Sequence, residues 1–227
     1  MKRPSLPEIV EALHKAGIPP QLSADQSRLV VKVLQLLVTS YPVSPARLKE
    51  IASELQMPLE VAHSILRQMS EIDETGNVVG ILGLSQKKHS HRFQVNEHIL
   101  STWCAWDTLF LPALLKHSAK VESFCPTTKS KIVLTLSPDR VEGYEPANAV
   151  LSMVLPKPNP EGPNSAEEIW KVFCHYVFFF SSAEAVTEWF KGKNYDPVIL
   201  SVEEGFQLGR MTFEEVLNYT SGNRGNL

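Results

Sequence analysis

Residues 98–112 read HILSTWCAWDTLFLP, and the fold turns on how this run is taken. With Asn96 as an N-cap, we expect one helix from Glu97 to about Phe110, closed by Pro112. On that reading Leu100, Trp103, Cys104, Asp107 and Leu111 fall at i, i+3, i+4, i+7 and i+11 and share one face. The face is otherwise apolar. A carboxyl group buried there without a partner is costly, or is driven to hold a proton. Asp107 is therefore either paired with a backbone amide or a distant Lys or Arg, or it is functional. A thiol three residues earlier, at Cys104, favours function: both groups could touch one ligand.

Working back from this run, the first hundred residues look helical and then briefly extended. Glu8 to Ala16 forms a short helix ending at Gly17, with Pro19 and Pro20 beyond it. Gln26 to Thr39 places Leu29, Val30, Val33, Leu36 and Leu37 on one stripe. Ser44 caps a third helix with Pro45 in its first turn, running to about Leu55. Pro58 opens a fourth, to about Ser70. Extended pieces follow at Val78–Leu84 and His91–Val95, introduced by a turn at Glu74–Asn77. Helices followed by a hairpin make a winged-helix-like pattern. Its usual task is reading DNA, yet the segment PLEVAHSILRQMS (58–70) offers base edges mainly Arg67 and Gln68. A scaffold or lid role suits it better.

Working forward, Val121–Cys125, Lys131–Leu136, Val150–Leu155 and Lys171–Phe180 read as strands. Pro156–Ser165, with four prolines and two asparagines, is a surface loop. Ser181 and Glu184 make a capping box for a helix through Phe190. Pro197–Val202 is a last strand, followed by a helix-like tail. The expected fold class is α+β: a winged-helix-like N-terminal module over residues 1–95, then a mostly antiparallel sheet flanked by helices over residues 96–227.

Composition narrows the function. The chain has 227 residues, 43% hydrophobic and 21% charged, enough to build a core and unlike a disordered chain. Residues 1–100 carry 11 basic and 10 acidic side chains, and the remainder 11 and 15. Neither part has the basic excess that phosphate-backbone binding needs, so no nucleic-acid partner is expected. No apolar run approaches the length of about 18 residues that a membrane helix requires. MKRPSLPEIV lacks the apolar core of a signal peptide. We expect a soluble, cytoplasmic protein with no membrane partner. Its three cysteines, Cys104, Cys125 and Cys174, are widely spaced and contain no CxxC pair, which argues against a structural zinc site. In a reducing compartment they are free thiols.

The other candidates carry weaker signals. Alternation in KVFCHYVFFF (171–180) puts Cys174 on the opposite face from His175. Cys174 then reads equally well as core packing or as a ligand, and His175 as structural or supporting. Cys125, just before Pro126, reads as a packed strand-end thiol. His89 and His91 fall in the polar segment QKKHSHR and read as a solvated wing. Trp103 either walls an apolar pocket or packs in the core.

The runs WCAWDTLFLPALL (103–115), ESFCPTTK (122–129), VLSMVLP (150–156) and VFCHYVFFF (172–180) together resemble the bacterial organomercurial (alkylmercury) lyase family. The likeness covers most of the chain, and the WCxxDT core at 103–108 with FC at 173–174 is specific. The resemblance implies protonolytic cleavage of carbon–mercury bonds, in methylmercury or phenylmercury, to a hydrocarbon and Hg(II). It implies a catalytic and mercury-binding set of Cys104, Asp107 and Cys174, with Cys125 structural. Some members carry a second cysteine after the one matching Cys174, where this chain has His175. The resemblance implies no resident cofactor, since mercury is substrate and product, but a need for free low-molecular-weight thiols. It also implies a role in mercury detoxification, with Hg(II) passed to a mercuric reductase.

Two other functions use the same residues. A winged-helix sensor could hold mercury or another soft metal and act on DNA; the poor recognition helix and the negative charge count against it. A different thiol enzyme would need a histidine to activate Cys104, and sequence places none beside it.

Overall fold

A computed structural model describes residues 3–39 and 41–220. Four helices lead: α1 (Leu6–Lys15), α2 (Ala24–Leu37), α3 (Pro45–Glu54) and α4 (Leu59–Met69). Their starts follow from local chemistry. Ser5 with Glu8 and Ser23 with Gln26 form capping boxes, and Ser44 caps α3 ahead of Pro45. These positions agree with the sequence expectation.

An eight-stranded antiparallel sheet follows, in spatial order β1-β2-β3-β5-β4-β6-β7-β8. Its strands are β1 (Ser70–Ile72), β2 (Val78–Ile81), β3 (Leu84–Ser85), β4 (His91–Val95), β5 (His98–Thr102), β6 (Ala119–Phe124), β7 (Lys131–Leu136) and β8 (Val141–Glu145). Phe93 pairs with Leu100 on one side and Val121 on the other, and Val121 pairs with Leu134. This row is buried and gives the sheet its apolar face. Between β5 and β6 lies α5 (Asp107–Leu115), and all nine of its residues are buried. A helix apolar all round belongs inside a core; α5 packs against α2 and against two helices near the end of the chain, Val202–Thr212 and Glu214–Thr220.

The rest of the chain comprises β9 (Val150–Met153), α6 (Ala166–Val172), β10 (Phe178–Phe180), α7 (Ala183–Phe190), β11 (Val198–Ser201), α8 (Val202–Thr212) and α9 (Glu214–Thr220). β10, β9 and β11 form a second antiparallel sheet. Gly205 and Gly209 let α8 approach α5: a Cβ at either would lie 2.7 Å from an atom of Leu109 or Phe110. No helix among the described residues is long and apolar enough to cross a membrane. The architecture is α+β, as expected.

Two expectations need correction. Residues 97–106 do not begin a helix. Asn96, at φ +52°, turns the chain in a two-residue hairpin, and β5 then pairs with both β4 and β3. Pairing on two edges outweighs the helix-like spacing of Leu100, Trp103 and Cys104. Helix begins only at Asp107. Likewise, 171–180 is not one strand. Ser165 accepts a hydrogen bond from the Glu168 N–H and nucleates α6, which passes into a 3₁₀ turn at Cys174–Tyr176. Only Phe178–Phe180 is extended. Smaller differences are the cap of α7, which is Ser182 and not Ser181, and the strands β1 and β8, which the sequence does not announce.

Candidate active site

Cys104 sits in the tight connection between β5 and α5, and this connection is tied down on every side. Thr102 Oγ1 donates to the Cys104 carbonyl at 2.8 Å, and Thr108 Oγ1 to the Ala105 carbonyl at 2.7 Å. The Trp103 N–H donates to the Gly83 carbonyl at 2.8 Å. The Trp106 indole donates to the Gly205 carbonyl at 3.0 Å. Asp107 is the first residue of α5, where negative charge is favoured. Its Oδ2 accepts the Cys104 N–H at 2.7 Å, so the carboxylate folds back over the turn.

Cys174 arrives from far along the chain, at the junction of α6 and β10. The Ala105 N–H donates to the Val177 carbonyl at 3.4 Å, joining the two segments. As a result one ligand atom from each of Cys104, Asp107 and Cys174 lies within 4.8 Å of the others. All three are buried, with relative exposures of 0%, 6% and 4% respectively. Both cysteines are free thiols.

Burial governs the protonation of this cluster. It raises the Asp107 carboxyl to about 7, against hydrogen bonds from the backbone and thiol of Cys104 and the charge of His89. Burial, the hydrogen bond shared with Cys174 and the Asp107 charge push the Cys104 thiol well above its ordinary value. The hydrogen bond from Cys104 pulls the Cys174 thiol down, but burial and Asp107 more than offset this and leave it raised. The resting site therefore stores protons beside two soft ligands.

A narrow apolar cleft of about 40 Å³ opens onto Asp107 and Cys174, room for a methyl-sized group. Trp103, Phe110, Phe173 and Phe213 wall it, with Pro19 and Pro20 from the α1–α2 connection. Trp103 is thus a pocket wall. The sequence reading did not single out Gly83. This residue has φ +85°, and a Cβ on it would fall 2.3 Å from the Asp107 carboxyl carbon. The signal was the pair of glycines, Gly80 and Gly83, inside the apolar run VVGILGLS (78–85), since glycine within a strand pattern marks close approach of backbone to another group.

The remaining candidates lie outside the cluster. Cys125 is buried, and its sulfur accepts from the Thr128 N–H and Ser181 Oγ, both at 3.5 Å. Burial raises this thiol, yet those donors outweigh it and bring it to about 7. Its partners hold the 125–130 turn against the start of α7. His175 is exposed, with its ring edge-on to Trp170 and Tyr176 at 4.9 and 5.1 Å. The solvated-wing reading of His89 and His91 is corrected. His89 is partly buried, 2.9 Å from Glu71. His91 is buried, 2.8 Å from Ser123 Oγ, because β4 turns its odd-numbered residues inward.

Comparison with known proteins places this geometry in context. A family model described as alkylmercury lyase matches residues 84–214. An alkylmercury lyase of Staphylococcus epidermidis is 37% identical over 168 residues, 73% of this chain and 74% of that protein. One from Pseudomonas putida is 32% identical over 218 residues, 95% of each chain. The crystal structure of the mercury-bound form of MerB2 shares the fold, with a TM-score of 0.74 at 19% identity, over 93% of this chain and 99% of that one.

Proposed function

Because this chain belongs to the alkylmercury lyase family, we propose that it cleaves the carbon–mercury bond of organomercurials, with Cys104, Cys174 and Asp107 carrying the reaction. The observation that supports these roles is the convergence within 4.8 Å of two buried thiols and a carboxyl that titrates near neutrality and so can both take and give a proton.

Mercury is soft and prefers thiolate. Cys104 takes the organomercury cation first and releases its thiol proton to Asp107, whose carboxyl titrates near neutrality. Cys174 then binds the same mercury, adding electron density that weakens the bond to carbon. Asp107 moves a proton from the thiols to the departing carbon. The sum is RHg⁺ + 2 Cys-SH → RH + Hg(S-Cys)₂ + H⁺, balanced without any further cofactor. The apolar cleft receives the organic group and keeps water from the exchange of protons.

Hg(II) then leaves to low-molecular-weight thiols, with a mercuric reductase as the downstream acceptor. A reducing cytoplasm suits three cysteines that must stay free. We further assign residues 1–95 as a winged-helix-like scaffold to the catalytic portion, 96–227. Pro19, Pro20, Met69, Leu82 and Gly83 from the first portion line the cleft, which supports a structural role for it in place of DNA reading.

The test is headspace gas chromatography of the protein with methylmercury and excess thiol, beside Cys174→Ser. Methane from the wild type alone is expected. Mercury bound tightly with no methane from either would overturn the assignment.

A further inference from the structure

Mercury held by two buried thiolates leaves by exchange: an incoming thiolate bonds to the metal as one cysteine lets go. The incoming group needs a route. Cys104 lines neither cavity beside the site, whereas Cys174 lines two. One is the narrow apolar cleft. It would strip solvent from any charged thiol and offers that charge nothing in return. The other is an outer cavity of about 600 Å³ that also has Cys174 in its lining. Trp103, 6% exposed, lines both.

The lining of the outer cavity is chemically one-sided. Its polar side chains are Lys88, His89, Ser90, His91 and His175, and among the described residues none is a carboxylate. The nearby acids are engaged or lie elsewhere. Glu71 stands behind His89, bonded to it at 2.9 Å and to Ser85 Oγ at 2.6 Å. Glu167 lines the neighbouring cavity and pairs with Lys171 at 2.6 Å. Lys88 is exposed and makes no ion pair among the described residues. Trp170 and Trp103 add flat apolar surface to the same lining as Lys88 and Cys174. Such a cavity fits a short apolar stem with a thiol at one end and a negative group at the other.

We propose that the outer cavity is the docking site of a small carboxylate-bearing thiol, which collects Hg(II) at Cys174. The inference rests on the lyase reading and names the ligand class of its last step. The thiol R′SH adds its sulfur to mercury, the bond from mercury to Cys174 breaks, and the proton of R′SH returns to Cys174. A second R′SH displaces Cys104 in the same way. The sum is Hg(S-Cys)₂ + 2 R′SH → Hg(SR′)₂ + 2 Cys-SH, with no change of oxidation state. Lys88 attracts the carboxylate and fixes which end of the thiol faces inward.

The test starts from protein loaded directly with Hg(II), so it does not depend on carbon–mercury cleavage. Loaded protein is mixed with 3-mercaptopropionate, or with its neutral amide at equal thiolate concentration. Protein-bound mercury is then followed after rapid gel filtration. The anionic thiol should strip mercury about tenfold faster, with the advantage shrinking in high salt. The ratio of the two rates should fall toward one in Lys88→Gln and invert in Lys88→Glu. Because it is a ratio within one preparation, partial misfolding does not mimic it. Equal rates in the wild type, or a preference that survives both substitutions, would overturn the proposal. Methane release from methylmercury by the same preparation tests the lyase reading separately.

Discussion

The Asp107 carboxylate accepts the main-chain N–H of Cys104 at 2.7 Å, so the proton carrier and the first mercury ligand are fixed to each other by backbone. Neither can drift without the other. Asp107→Asn should keep this bond through its amide oxygen while losing the exchangeable proton. Turnover should fall on the order of 10²- to 10⁴-fold, with mercury still bound at one Hg(II) per chain. Loss of mercury stoichiometry along with activity would mean that Asp107 holds the cysteines in place and carries no proton.

The two cysteines should fail differently. Cys174→Ser should stop after the first step and leave a covalent adduct bearing both mercury and its organic group on Cys104, visible by intact-protein mass spectrometry. Cys104→Ser should capture much less organomercurial. Identical adducts in both variants would reverse or erase the order of attack.

Gly83 gives the Asp107 carboxyl its resting place. Gly83→Ala would set a methyl group 2.3 Å from the carboxyl carbon at a backbone φ of +85°. A stability loss of about 1–3 kcal/mol is expected, with turnover down about 10²-fold from the displaced carboxyl. Chemical denaturation and steady-state kinetics read the two effects separately. Full activity in a folded Gly83→Ala protein would show that the carboxyl tolerates displacement.

Stability should carry two opposed pH dependences. Asp107 titrates near 7 when folded and near 3.8 otherwise. The unfolded chain binds fewer protons between those values, so stability falls as pH rises through them, by at most about 4 kcal/mol. His91 is held down by burial, to about 4 from 6.5. There the unfolded chain binds more protons, so stability rises with pH over that window, by at most about 3 kcal/mol. The slopes partly cancel in the wild type. Asp107→Asn should gain on it as pH climbs from 4.5 to 7, and His91→Gln should lose its share of the acid-side decline. Denaturation curves for each variant that run parallel to the wild type across this range would refute the assignment.

How much of this was legible beforehand depends on where each element's information resides. The four leading helices were readable from local signals: the stop at Gly17, the apolar stripe of 29–37, the cap at Ser44 with Pro45, and the start at Pro58. Cys104, Asp107 and Cys174 were named through a resemblance carried by WCAWDT and FCHY. The geometry joining them was not readable. HILST has the spacing of a helix and becomes a strand because β3 and β4 pair with it, a fact held in residues 84–95. Cys174 was placed on a strand because FCHYVFFF alternates well enough, but Ser165, nine positions earlier, starts a helix that runs into it. Gly83 was overlooked because its importance lies in Asp107, twenty-four positions away. The burial of His91 depended on which face of β4 turned inward, which a polar-looking segment does not reveal.

The two thiols that meet in the site are seventy positions apart in the chain. Once Hg(II) bridges them, the metal is a cross-link that closes a loop of that length, as a disulfide would. By chain entropy such a tie is worth about 4 kcal/mol against unfolding. The product complex should therefore melt at a higher temperature than the empty protein. The enzyme is then most durable in the state from which it must be rescued, and the thiol that removes the metal also unfastens the fold.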